Sequence, residues 1–333
     1  MRCINKRRRR RKNKIKIFLG IFVLLIIVGI AILFLTQNKA SVADYETEKY
    51  RSTIYQETLA VDKLCVATNN VSSEIFSTDD ELHAAALFQL DKSNVIYAEN
   101  IHERIYPAST TKILTAYLAL KYGTLTDVIT ISESAVGVPL DSSRAGLRMG
   151  DQLTLEVLLY GLMLPSGNDS AVAIAEYISG SEEAFAQLMN EEAKKLGATN
   201  SNFINAHGYQ DENHYTTAYD LYLILNECVK YDKFIEIVSS AQYHTRITQK
   251  NGTYREVTWN QSNQYINGAR PTPEGVTVIG GKTGTTDEAG ACLLLYAKKE
   301  DSSPYISIVM GADNKAILYE NMTNLITAIT LTE

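Results

Sequence analysis

Residues 107–112 read Pro-Ala-Ser-Thr-Thr-Lys and open an apolar run, 113–122, that predicts a buried helix. Three positions along a helix amount to nearly one turn, so Ser109 and Lys112 lie on one face and their side chains can meet. A serine hydroxyl becomes a strong nucleophile when a base takes its proton, and a lysine is such a base once burial or a neighbouring cation holds it neutral. The pattern indicates nucleophilic catalysis, although Ser-x-x-Lys by itself is common on solvated helices.

Two further polar patterns follow the first. Residues 166–168 are Ser-Gly-Asn on a turn between helices, where a hydroxyl and an amide can point the same way, although these residue types also favour helix caps. Residues 282–285 are Lys-Thr-Gly-Thr after an apolar strand, and their charge and hydroxyls suit an anion such as a carboxylate. A phosphate loop is the alternative, but the G-x-x-x-x-G-K-[ST] spacing is absent.

The hydrophobic pattern predicts the order of the elements. Residues 84–90 and 95–99 predict a hairpin, and residues 151–239 a mostly helical insert. A second hairpin is expected around Asn251-Gly252. The strand 290–298 has no polar face and is expected to be central in its sheet. Together with a closing helix from Lys315, these elements predict an α+β fold in which an antiparallel sheet is flanked by helices and the insert forms an all-helical lobe.

The three polar patterns each occur once, and they occur in this order. The conjunction resembles the penicillin-recognising serine enzymes, which include penicillin-binding proteins and class A β-lactamases. The surroundings of the motifs, among them Asn205-Ala206-His207-Gly208, are similar to the D-alanyl-D-alanine carboxypeptidases of the low-molecular-weight penicillin-binding type, over roughly residues 82–312. The resemblance implies a β-lactamase/DD-peptidase-like fold.

The same resemblance implies a function and a set of site residues. It implies a bacterial enzyme that removes the terminal D-alanine from peptidoglycan stem peptides ending in D-Ala-D-Ala, is inhibited by β-lactams, and needs no metal or cofactor. The residues that it assigns are the nucleophile Ser109, the base Lys112, the proton relay Ser166, the carbonyl ligand Asn168, and the substrate-binding Lys282, Thr283, Gly284 and Thr285. The backbone N–H groups of Ser109 and Thr285 would hold the oxyanion.

Two other functions stay open at this level. A class A serine β-lactamase would need a glutamate in an E-x-x-L-N-type loop, and the sequence has no such pentapeptide. A non-catalytic wall-binding scaffold would have no use for a serine and two lysines together. His207 and His214 invite a metal site, but their spacing matches no usual ligand pattern.

Charge is unevenly placed along the chain. Ten of the 32 basic residues lie in residues 1–16, so the remainder holds 22 basic against 38 acidic residues, which argues against nucleic acid as a partner. Residues 17–36 are apolar and long enough to cross a bilayer, with the basic end in the cytoplasm. The sequence therefore predicts a cytoplasmic tail (1–16), a transmembrane anchor (17–36), a stalk (37–80) and an extracytoplasmic catalytic domain (81–333).

The N-terminal segment also allows a second interpretation. Ser41-Val42-Ala43 has the small residues of a signal-peptidase site, so secretion after cleavage is the alternative. Many family members carry a second β-rich domain and a C-terminal membrane tether, and only 49 residues follow Gly284 here. The retained N-terminal anchor is therefore the expectation. Three cysteines beyond it, Cys65, Cys228 and Cys292, allow at most one disulfide.

Overall fold

A computed structural model describes residues 64–74, 76 and 82–332 of the chain. The predicted tail (1–16) and anchor (17–36) lie outside these residues, as does most of the predicted stalk (37–80). Within the described part, no helix has both the length and the apolar character needed to cross a membrane.

Strands and helices occur in groups along the described part of the chain. The strands are β1 (Ala84–Gln89), β2 (Asn94–Glu99), β3 (Val128–Thr130), β4 (Gln152–Thr154), β5 (Gln242–Thr248), β6 (Tyr254–Asn260), β7 (Val276–Thr286), β8 (Gly290–Lys299) and β9 (Pro304–Ala312). The helices are α1 (Lys112–Tyr122), α2 (Glu133–Val136), α3 (Leu155–Met163), α4 (Asn168–Ser179), α5 (Glu182–Lys195), α6 (Ala218–Cys228), α7 (Asp232–Ser239) and α8 (Lys315–Thr327).

The main sheet has five antiparallel strands in the order β2-β1-β9-β8-β7. The predicted hairpin of residues 84–99 is present as β1 and β2. Strand β8 is internal and buried on both faces, as its apolar run predicts, but β9 is the middle strand. The edge strand β7 carries the Lys-Thr-Gly motif inside the strand, where the sequence predicted a segment that follows it.

Each face of this sheet packs against a different set of helices. Leu293 and Leu295 of β8 belong to the core under α8, whereas Leu294, one position between them, belongs to the larger core shared with the helical lobe. This alternation follows from the two-residue period of a strand. Burying a large apolar side chain stabilises the fold by roughly 1.5–3 kcal/mol, so the apolar face of α8 holds that helix firmly on the sheet.

The helical lobe contains more strand than the sequence predicts. Strands β3 and β4 pair with the hairpin β5–β6 in a second, four-stranded sheet beside the helices. Because β3 and β4 have three residues each, their period-two pattern is too short to be recognised. The hairpin itself forms where Asn251-Gly252 predicts it.

Side chains cap two of the helices at their first turn. The Val157 N–H donates to Thr154 Oγ1 before α3, and the Ala184 N–H donates to Ser181 Oγ before α5. Each such cap contributes about 1 kcal/mol. Helix α5 therefore begins at a well-defined residue, Glu182.

Candidate active site

Ser109 lies in a short 3₁₀ turn, Ala108–Thr111, that leads directly into α1. The turn is braced by a hydrogen bond of 2.7 Å from Thr110 Oγ1 to the Pro107 oxygen. Ala108 has a φ of 48°, a left-handed conformation that costs a non-glycine residue roughly 1–2 kcal/mol. Strain of this kind concentrates at functional sites, where the surrounding packing holds it.

Lys112 is fully buried, and its Nζ atom contacts three oxygen atoms. These are Ser109 Oγ at 2.9 Å, Asn168 Oδ1 at 2.8 Å and the backbone oxygen of His207 at 2.7 Å. An uncharged amine has two N–H donors and one lone pair. The oxygens of Asn168 and His207 can accept hydrogen bonds from the two N–H groups of the amine. The lone pair on Nζ then faces the hydroxyl of Ser109. The contacts therefore suit a neutral lysine that takes a proton from Ser109.

The electrostatics of the two lysines agree with this geometry. Burial lowers the pKa of Lys112 well below its usual value, and the positive charge of Lys282 lowers it further, against a smaller opposing effect of Asp169. Burial also lowers the pKa of Lys282, to about 7. Burial and the charge of Lys282 thus both favour the uncharged amine of Lys112. With a pKa of about 7, Lys282 can gain or lose its charge near neutral pH.

Ser166 and Lys282 form a second contact pair. The Lys282 Nζ donates to Ser166 Oγ and to the Thr283 backbone oxygen, both at 2.9 Å. Ser166 follows Pro165 in the turn after α3 and has a φ of 63°, again left-handed for a non-glycine residue. Both side chains are buried, with Lys282 1% and Ser166 6% exposed. Lys282 therefore hydrogen-bonds to Ser166, whereas Lys112 contacts Ser109, Asn168 and His207.

Gly284 brings strand β7 against the turn that leads into α1. A Cβ at this position would lie 3.0 Å from the Ser109 backbone nitrogen and 3.1 Å from the Pro107 oxygen. A larger residue would push the strand away from the serine. The glycine of the Lys-Thr-Gly motif thus permits the close approach that places Thr283 and Thr285 beside Ser109.

Two cavities meet at Ser109. The smaller, of about 180 Å³, is also lined by Ser166, Ser262, Gln264, Thr283, Thr285, Lys315 and Tyr319, among others. The larger, of about 530 Å³, is also lined by Asn168, Tyr209, Thr285 and the carboxylates Asp141, Asp287 and Glu288, among others. The cleft is therefore polarised, with Lys315 lining one cavity and three carboxylates lining the other.

The sequence patterns did not identify several of these residues. Lys315, at the start of α8, is exposed, and within the described residues it has no recorded ion pair. Ser262 Oγ lies 2.9 Å from Thr283 Oγ1. Neither residue belongs to a recognisable motif, and only the packing of α8 on the sheet brings Lys315 to the cleft. Trp259 is a buried residue of the core, and its Nε1 donates to the Ala145 oxygen.

Asp169 holds the backbone of residues 145–147, which follow the cavity-lining Ser143. Its carboxylate accepts N–H bonds from Ala145, Gly146 and Leu147 at 2.8–3.0 Å, and it is 1% exposed. Asp169 follows Asn168 directly. The same helical turn therefore provides the oxygen that contacts Lys112 Nζ and the carboxylate that holds residues 145–147.

The described residues contain no group of three or more His, Cys, Asp or Glu side chains arranged to hold a metal ion. His207 and His214 instead use their ring nitrogens on protein groups. His207 Nδ1 accepts the Tyr209 N–H, and His214 Nε2 lies 2.9 Å from Thr111 Oγ1. The three cysteines of the described part are buried and unpaired with one another.

An antiparallel sheet and a helical lobe that meet at a serine, a buried lysine and a Lys-Thr-Gly strand define the class of penicillin-recognising serine enzymes. Residues 73–314 match the family described as D-alanyl-D-alanine carboxypeptidase, peptidase S11. The chain belongs to this family.

Similar proteins and solved structures agree with this family assignment. The D-alanyl-D-alanine carboxypeptidase DacF of Bacillus subtilis is 37% identical over 240 residues, which are 70% of this chain and 58% of the relative. The D-alanyl-D-alanine carboxypeptidase of Streptomyces sp. strain K15 is 35% identical over 61% of this chain and 72% of the relative. The crystal structure of the Streptomyces K15 DD-transpeptidase has a TM-score of 0.71 at 27% identity, covering 79% of this chain and all of that one. The chain thus spans less than two thirds of the Bacillus relative.

Proposed function

We propose that the chain is a serine-type D-Ala-D-Ala carboxypeptidase that removes the terminal D-alanine from peptidoglycan stem peptides through an acyl-enzyme on Ser109. The observation that carries the proposal is the contact of 2.9 Å between Ser109 Oγ and the buried Nζ of Lys112, whose other two contacts are carbonyl oxygens. Family membership supports the reaction type, since the relatives named above are D-alanyl-D-alanine carboxypeptidases.

Acylation follows from the roles that the contacts allow. Lys112 takes the proton of Ser109, whose oxygen attacks the carbonyl carbon of the penultimate D-alanine. The backbone N–H groups of Ser109 and Thr285 hold the oxyanion, a contribution of roughly 3–4 kcal/mol for each donor. Asn168 binds the peptide with its amide nitrogen, since its oxygen is occupied by Lys112.

The leaving D-alanine occupies the smaller cavity. Ser166 passes a proton to the departing amine and is resupplied through its contact with Lys282. Lys282, Thr283, Gly284 and Thr285 bind the substrate end that carries the carboxylate, and Lys315 adds a charge at the open edge of the cavity. The larger cavity holds the rest of the stem peptide. Water then hydrolyses the acyl-enzyme.

We also propose that residues 17–36 anchor the enzyme in the cell membrane with the catalytic domain outside the cytoplasm. The apolar length of this segment and the basic block before it support the proposal. Secretion after cleavage near Ala43 is the alternative. Detection of the N-terminal tail on membrane-bound protein from cells would support the anchor, and its loss from a released protein would support cleavage.

The function is tested with the purified chain and a peptide ending in D-Ala-D-Ala. Release of one D-alanine per peptide is expected, together with stable labelling by a fluorescent penicillin. Rapid turnover of the penicillin would favour a β-lactamase, and no labelling would favour a non-catalytic scaffold. Because proteins from Streptomyces K15 are described both as a carboxypeptidase and as a DD-transpeptidase, a glycine acceptor is included to measure transfer.

The rate of acylation by penicillin is expected to rise and then fall with pH. Below the pKa of Lys112 the base is protonated, so the rate is lost as pH falls. Lys282 is charged below its pKa of about 7, so its contribution is lost as pH rises through that value in the free enzyme. Lys282→Arg retains the charge at all these pH values and should abolish the basic limb. A basic limb that persists in this variant would assign it to another group.

Removal of the charge at Lys315 is expected to weaken binding of the substrate carboxylate. Lys315→Gln should raise KM about 10-fold, because a hydrogen bond to a charged group contributes about 1.5 kcal/mol, while kcat stays near the wild-type value. Lys250→Gln removes the same charge from an exposed turn outside both cavities and should change neither constant. A peptide with a C-terminal amide should not distinguish Lys315→Gln from wild type. An equal rise in KM for the peptide acid and the peptide amide would contradict the role of Lys315 in binding the carboxylate.

A further inference from the structure

Glu182 is a partly buried carboxylate that takes no part in the reaction as proposed above. It is the first residue of α5, and its Oε1 atom accepts the Ala206 backbone N–H at 3.1 Å. The Nε2 atom of His207 lies 3.3 Å from the same oxygen. One carboxylate oxygen therefore contacts two consecutive residues of the loop 205–209.

The ring of His207 is held in one tautomer by its neighbours. Its Nδ1 accepts the Tyr209 backbone N–H at 3.0 Å, so the proton of the neutral ring lies on Nε2, facing Glu182. Burial and, to a smaller extent, the charges of Lys112 and His214 lower the pKa of His207 to about 3. The ring therefore remains neutral while the enzyme works, and the contact joins an N–H group to a carboxylate.

The loop is held on its other side as well. Asn205 Oδ1 accepts the N–H groups of His207 and Gly208, at 3.2 and 2.7 Å. Gly208 has a φ of 84° and packs on Ala108, where a Cβ would lie 1.8 Å from the backbone oxygen. The carbonyl oxygen of His207 lies between these anchors, and it is the atom that accepts the N–H of Lys112.

We propose that Glu182 is a positioning residue for Lys112, acting through the backbone of residues 206 and 207. By holding the loop, Glu182 keeps the backbone oxygen of His207 at 2.7 Å from Nζ of Lys112. One N–H group of the neutral amine therefore points away from Ser109, and the lone pair on Nζ points toward the Ser109 hydroxyl. The inference rests on the proposed function, since it concerns the acylation of Ser109. The titratable groups around this arrangement are Lys282, Asp169 and His214 near Lys112 and His207, and Glu176 and Glu183 near Glu182.

The test measures the second-order rate of acylation by a fluorescent penicillin as a function of pH. Glu182→Ala should slow acylation at neutral pH by roughly 10- to 100-fold, because small misplacements of reacting groups have effects of this size. The acidic limb of the pH–rate profile of Glu182→Ala should move to higher pH, because a loosened loop admits water to Lys112 and raises the pKa of that amine. Glu182→Gln keeps an oxygen acceptor for both contacts and should restore the rate and the limb.

Glu183→Ala is the matched control. Glu183 is the next residue of the same helix and is exposed, with its contacts confined to its own backbone and Ser181. This variant should acylate as the wild type does. His207→Asn keeps an acceptor for the Tyr209 N–H but removes the contact with Glu182, and it should reproduce the shift of the acidic limb.

The outcomes separate this inference from the proposed function. Wild-type rate and an unmoved acidic limb in Glu182→Ala would overturn the inference alone. So would a loss of rate that Glu182→Gln does not restore. If Glu182→Ala does not fold, an unmoved limb in His207→Asn overturns the inference. If the wild type is not acylated at all, the proposed function is overturned, and the inference with it.

Discussion

Replacing Ser109 with alanine is expected to abolish covalent labelling by penicillin and to slow D-alanine release by about 10⁴-fold or more. Among the described residues, Ser109 supplies the only hydroxyl group in contact with Nζ of Lys112, so its removal should prevent formation of an acyl-enzyme. Ser109 is only partly buried, and the alanine keeps the backbone of its turn, so the melting temperature should change little. Gel fluorescence, a D-alanine assay and thermal unfolding measure the three quantities.

The control for this variant is Ser240→Ala. Ser240 lies after α7, bonds to the Glu236 oxygen and lines neither cavity, so labelling and release should remain at the wild-type level. Persistent labelling of Ser109→Ala would place the nucleophile elsewhere, with Ser166 as the first residue to examine.

Replacement of Lys112 is expected to lower the rate of acylation by about 10³-fold, within the range that general acid–base catalysis supplies. Lys112→Met removes the amine and fills the buried space with a side chain of similar length. Lys112→Arg keeps a cation, but a guanidinium stays protonated and cannot accept the proton of Ser109. Because the proposed role is that of a neutral base, both variants should lose the rate to a similar extent.

The comparison of these two variants separates a base from a charge. If Lys112→Arg retained acylation within about 10-fold of wild type, Lys112 would act by its charge and the proposed mechanism would be wrong. Lys112→Met leaves the oxygens of Asn168 and His207 without their donor, which costs about 1–3 kcal/mol for each buried group. The rates should therefore be measured below the melting temperature of the variant, which thermal unfolding gives.

Local signals predicted much of the fold. The helix after residue 112, the hairpin around Asn251-Gly252 and the closing helix from Lys315 all rest on interactions within a few residues, and the structure confirms them. The pairing of β1 with β9 in the main sheet and the pairing of β4 with β5 in the second sheet join distant segments. Three-residue strands have no period that a pattern can reveal.

For the candidate site, the order of three short motifs indicated which residues belong together, and the proximity of Ser109 to Lys112 followed from helical spacing. Three features had no local signal: the carbonyl of His207 on Lys112, the loop contact of Glu182 and the place of Lys315 at the cleft. Each joins segments that lie far apart in the chain.

By itself the sequence determined the family of this protein, the nucleophile pattern and the elements that carry it, because residue type and spacing act over one turn of helix or one hairpin. Only the tertiary structure decided that the pKa values of the two lysines are lowered. A pKa depends on burial and on charges brought from distant segments, and here the packing of β7 against α1 withdraws both amines from water and sets them near each other.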